Sequence, residues 1–131
     1  MDWKLEVVVV PVADVERSKT FYTEQVGFVV DHDTRVSDDV RIVQLTPPGS
    51  ACSIVIGVGD AAPGSVSGLQ LVVSDIQAAR EQLLAGRVDA SVVRHVEDGD
   101  WVDGHGGSWN AFVFFSDPDG NDWTVQERPA G

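Results

Sequence analysis

With 131 residues the chain is long enough for one compact core and too short for several. Its 21 acidic and 9 basic side chains leave a net charge of −12, a sign that repels phosphate backbones and anionic lipid, so neither nucleic-acid nor membrane partners are expected. A single cysteine, Cys52, excludes an internal disulfide, and its apolar surroundings in A-C-S-I-V-I suggest a buried small residue.

The opening M-D-W-K-L-E lacks a basic leader, and the run Val7 to Val10 stops at Pro11. No signal peptide or membrane span is expected, which points to the cytoplasm. Residues 4–12 read as a valine-rich strand. Asp14 is then placed to cap a helix over 14–26, with Val15, Ser18, Tyr22 and Val26 recurring at helical spacing and Gly27 as the stop. Phe21 and Tyr22 are expected in the core. Three strands follow, near 28–36, 40–46 and 51–58, separated by Ser37-Asp38-Asp39 and Pro47-Pro48-Gly49-Ser50. Turn-rich breaks of this length predict a meander.

The small-residue stretch 59–67 reads as a linker between module one, about 1–58, and module two, about 68–128. A second strand-cap-helix unit then appears. A strand near 69–73 leads to the cap Asp75, Ile76, Ala79 and Leu83 form the stripe, and Gly86 is the stop. Asp14 and Asp75 are 61 positions apart, with Val10/Leu71, Val12/Val73 and Val15/Ile76 in register. A repeat of this length implies two copies of one supersecondary unit. Strands are predicted near 91–97, 110–115 and 122–127, the last two joined by the D-P-D-G-N turn at 117–121. Between them, D-G-D-W-V-D-G-H-G-G-S at 98–108 has no period and carries Trp101 and His105 before Trp109, as functional loops often do.

Two β-α-β-β-β modules, F-Y-T-E-Q-V-G-F at 21–28 and the D-P-D-G-N turn together resemble the vicinal oxygen chelate superfamily, which includes glyoxalases, extradiol dioxygenases and bleomycin-resistance proteins. The resemblance implies an α+β fold of two tandem modules. Each would be a curled sheet with a helix on its outer face and a cavity on its inner face. It also implies metal ligands on four strands in the enzymes of the family. The corresponding positions here are Val7, Gly68, Thr124 and, by strand parity, Ser53 or Val55. None is a good ligand. Glu6 and Glu127 are displaced by one residue to the opposite face, and Gln70 and Gln126 share the inward parity but make a weak metal site. His32 and His95 are expected to be partly exposed strand residues.

With no metal or other cofactor expected, the inner face becomes a pocket for an organic molecule. Its candidate lining is Val7, Val9, Ser53, Val55, Gln70, Val72, Val113, Phe115, Thr124 and Gln126, with Trp101, His105 and Trp109 from the loop. The choice of Val113 and Phe115 assumes a hairpin pairing of Ser116 with Asn121, which sends Phe112 and Phe114 under the helices; a one-residue slip would exchange them. The leading expectation is metal-independent binding of a small aromatic or cationic molecule, similar to bleomycin-resistance-type proteins, by a homodimer. The alternative is a glyoxalase-like lyase, isomerase or dioxygenase with a rearranged or metal-free site using His105, Glu6 or Glu127. A third possibility is a structural or regulatory domain that binds a protein partner.

Overall fold

A computed structural model describes residues 1–129 as two units. The first comprises Met1–Val66 with Asp117–Asn121, the second Ser67–Ser116 with residues 122–129.

In the first unit, β1 (Val7–Val9) leads to α1 (Val15–Thr20), and then come β2 (Val29–Arg35), β3 (Arg41–Thr46) and β4 (Ser53–Ile56). The sheet order is β1-β4-β3-β2. β1 lies parallel to β4, and the other three strands form the expected meander. The Asp14 carboxylate accepts from the Arg17 N–H at 3.0 Å, capping α1 as its sequence position predicts. The helix then widens into a π-helical stretch, Phe21–Val26, before Gly27 ends it at φ 96°. Widening places two successive aromatics, Phe21 and Tyr22, in the core, with Tyr22 stacked on Phe28 at 5.5 Å. Val10, Val43, Leu45, Ile54 and Ile56 complete that core.

In the second unit, β5 (Leu69–Val73) is followed by α2 (Ile76–Ala85), β6 (Arg94–Glu97), β7 (Asp100–Asp103), β8 (Phe112–Ser116) and β9 (Asp122–Glu127), in the sheet order β5-β9-β8-β6-β7. Asp75 caps α2 by accepting from the Ala78 N–H at 3.0 Å. Gly86 ends this helix, but at φ −81°; the left-handed conformation passes to Arg87 at φ 65°. Ile76 and Leu83 bury the α2 stripe against β8 and β9, where Val113, Phe115, Trp123 and Val125 are almost inaccessible. Each such side chain contributes about 1.5–3 kcal/mol when fully buried.

The chain is therefore α+β, with sheets of four and five strands and neither sheet closed into a barrel. Two expectations change. Residues 98–108 are not a structureless loop, because Asp98 (φ 52°) and Gly99 (φ 83°) make a tight turn that pairs β7 with β6. An Asp-Gly pair between strands favours that turn. Cys52 is half-buried, not enclosed.

Candidate binding faces

Each sheet has one face turned away from its helix, and strand register assigns the residues on it. In the second unit, Ser116 pairs with Asp122, not with Asn121, so Phe114 opposes Thr124 and Phe112 opposes Gln126. The one-residue slip has consequences for four residues. Val113 and Phe115, expected in the pocket, lie on the helix-covered face and are buried there. Phe112 and Phe114 take their place on the other face. The D-P-D-G-N turn supplied the hairpin but not its register, because Asp117 and Asn121 are engaged by residues of the first unit.

The resulting face is aromatic. The Trp101 ring stands edge-on between Phe112 and Phe114, with centroids at 5.3 and 5.1 Å and interplanar angles of 87° and 88°. Phe112 and Phe114 are parallel to each other at 6.5 Å. Trp101 remains 53% exposed and Val72, on the same face, 55%. Next to them, Gln70 Nε2 donates to Gln126 Oε1 at 2.6 Å, and Gln126 Nε2 donates to the Trp109 carbonyl at 2.8 Å. That bond holds Trp109 at φ 61° with its ring half-exposed. Gln70, Trp101, Thr124 and Gln126 lie on this face of the second unit and Trp109 is tied to it through Gln126, while sequence reasoning missed Phe112 and Phe114.

His105 does something different. Its Nε2 lies 2.6 Å from Glu127 Oε1 and its Nδ1 2.5 Å from the Gly106 carbonyl oxygen. The other Glu127 oxygen accepts from the Ile76 N–H in the first turn of α2 at 2.9 Å. The Ile76 N–H first, then His105, hold the Glu127 carboxyl below its ordinary 4.5, against the nearby Asp75. Glu127 and then the Gly106 carbonyl push His105 above its ordinary 6.5. His95 is likewise raised, by the Gly104 carbonyl first and Glu97 second, against the repulsion of His105. The two histidines therefore fasten the segment that carries Trp101 and Trp109.

The sign of this linkage sets a pH window. Glu127 contributes above 4.5 and its contribution is lost as pH falls through its lowered value. The histidines contribute below 6.5 and theirs is lost as pH rises through their raised values. Hydrogen-exchange protection of the amides in 98–110 should therefore be greatest between about 4.5 and 6.5 and fall above it. His105→Gln should weaken the upper limb, leaving the part due to His95. Protection that does not change across the upper limb in the parent protein would refute the latch.

In the first unit, Val7 pairs with Ser53 and Val9 with Val55 on the face away from α1, as strand parity predicts. Separately, Arg41 borders a hollow of about 190 Å³ with Pro11, Val12, Val15 and Gly57. It is smaller than the roughly 300–1,000 Å³ usual for organic ligands, and Arg41 is already committed to Asp33 and Glu16 at 2.7 and 2.6 Å.

The donor set for a metal does not fit. Val7 and Ser53 in the first unit, and Gly68 and Thr124 in the second, offer no imidazole, thiolate or carboxylate. Among the described residues no three His, Cys, Asp or Glu side chains gather in a metal-binding group.

Comparison with known families matches residues 4–125 to the model described as "Glyoxalase/Bleomycin resistance protein/Dioxygenase superfamily". The chain belongs to this superfamily. Among solved members, TnmS3, an antibiotic binding protein from Streptomyces sp. CB03234, is 30% identical, with 97% of each chain covered and a TM-score of 0.76. A glyoxalase/bleomycin resistance protein from the same strain is 31% identical over 94% of this chain and 99% of its own, with a TM-score of 0.72. A superfamily member from Sphaerobacter thermophilus DSM 20745 shares the fold at 24% identity and a TM-score of 0.76, with 97% and 98% covered. A comparison with functionally curated proteins returned no match. Among the described residues no helix is long and apolar enough to cross a membrane.

Proposed function

We propose that this superfamily member binds a small aromatic or cationic organic molecule without a metal, as a cytoplasmic homodimer. The observation that carries the reading is the half-exposed Trp101 held edge-on between Phe112 and Phe114 beside the Gln70–Gln126–Trp109 chain. Ring edges and faces left open to solvent offer stacking surface for a flat ligand, and the fixed amides orient its polar groups. The likeness to an antibiotic binding protein supports the same class of function. The metal-free part rests on the residue types at Val7, Ser53, Gly68 and Thr124, none of which supplies an imidazole, thiolate or carboxylate. The dimer is supported by Trp3 and Leu5, exposed by 87% and 72% two positions apart, apolar surface that costs free energy in water.

Enzymatic acid/base chemistry is less well supported. Both ring nitrogens of His105 already face acceptors, so in its protonated form it has no nitrogen to take a proton from a substrate. The test is a titration of chelator-treated protein with bleomycin and a panel of planar polycyclic aromatic compounds, followed by tryptophan fluorescence and calorimetry. Saturable binding is expected for at least one compound, and Trp101→Ala should weaken it about tenfold. Binding that appears only after a divalent metal is restored, or that ignores Trp101, would sink the reading.

A further inference from the structure

We propose a second subsite, on the first unit's sheet, that accepts a protonated amine or similar hydrogen-bond-donating cation at Asp31, Thr46 and Ser53. Two rows of residues cross the four strands on the face away from α1. Val29 pairs with Thr46, whose hydroxyl reaches that of Ser53, and Ser53 pairs with Val7. His32 pairs with Gln44, Gln44 with Val55, and Val55 with Val9.

Between the rows β2 carries a bulge. Val30 pairs with Leu45 and His32 with Gln44, which leaves Asp31 as the extra residue without a partner in the register. Because its carboxylate accepts from the Thr46 hydroxyl, Asp31 lies on the same face as Thr46 and His32. Two successive residues thus project to one face, which regular alternation forbids and a bulge permits.

The hydrogen-bond direction then determines the chemistry. A carboxylate only accepts, so the single Thr46 proton goes to Asp31. The Ser53 proton must therefore go to Thr46, across 2.6 Å. Both hydroxyl protons are spent within the chain, and what it offers outward is the second oxygen of the exposed Asp31 carboxylate, Ser53 itself being 6% exposed. A group made of acceptors, with one negative charge and the apolar neighbours Val7 and Val55, selects an N–H-rich cation on an apolar body. The net charge of −12 attracts the same kind of ligand.

This subsite rests on the proposed binding function but sits on a different sheet, so the two can fail separately. The experiment is a titration of isotope-labelled protein with phenethylammonium and, in parallel, its near-isosteric neutral counterpart 2-phenylethanol, read by amide and indole chemical shifts. Phenethylammonium is expected to shift the Asp31, Thr46 and Ser53 amides saturably, and 2-phenylethanol much less. Asp31→Asn should weaken the cation about fivefold, and Thr46→Val, which removes the orienting hydroxyl, should weaken it in the same direction. Unmoved resonances at these three residues, or equal affinity in the parent and Asp31→Asn proteins, would overturn the subsite. A Trp101 indole that responds to neither compound counts against the aromatic face alone.

Discussion

Asp117→Ala is expected to lower the unfolding free energy by about 3 kcal/mol, read as a drop in urea midpoint at unchanged slope. The carboxylate is 5% exposed and accepts four hydrogen bonds. Tyr22 Oη donates at 2.7 Å and Asn121 Nδ2 at 2.8 Å to one oxygen; the Asp119 and Asn121 N–H groups donate at 2.9 Å to the other. Removing it strands donors that have little water to turn to, each a penalty of about 1–3 kcal/mol before relaxation. Asn121, fully buried, extends the network by donating to the Pro11 carbonyl and accepting from the Val66 N–H. Tyr22→Phe deletes one donor and leaves three, so it should cost about 1 kcal/mol. Equal losses in the two variants would mean that the carboxylate is solvated and the network is not what holds this turn.

The second large effect is expected at Gly57, which follows β4 at φ 92°. A Cβ built there would lie 1.9 Å from the Arg41 carbonyl oxygen, a backbone atom that no rotamer change can remove, and 3.2 Å from Val15 Cγ2. Gly57→Ala therefore combines left-handed strain, about 1 kcal/mol, with a forced displacement of β3 against β4, for a total of about 3–4 kcal/mol. The displaced residue, Arg41, also holds Asp33 and Glu16, and the Arg41 guanidinium, followed by Lys19, keeps the Asp33 carboxyl far below the usual carboxylate range. Gly99 provides the control. It has a similar φ, 83°, and nothing within 4 Å of its would-be Cβ, so Gly99→Ala should cost only the backbone part, about 1 kcal/mol. A Gly57→Ala loss no greater than that of Gly99→Ala would show that β3 yields freely.

Most of the secondary structure was legible because local signals agreed with the fold. The caps Asp14 and Asp75, the stripes behind them and the turn residues between strands each act over a few residues. The register offset of 61 repeats one such unit. The shared parity of Ser53 and Val55, which pair with Val7 and Val9, was legible for the same reason, since it follows from the strand period. β7 could have been found from Asp98-Gly99, but its exposed strand lacks an apolar alternation to announce it.

What the sequence by itself determined is the module, its two capped helices and its family. Tertiary structure alone decided which side chains share a face. Phe112 and Phe114 differ from Val113 and Phe115 only by register, and either set is apolar enough to be core. The choice fell to the pairing of Ser116 with Asp122, set by where Asp117 and Asn121 are anchored. Asp31 faces Thr46 because of a bulge that no local residue type demands. His105 meets Glu127 across 22 positions of sequence, a distance over which composition and periodicity carry no information about contact.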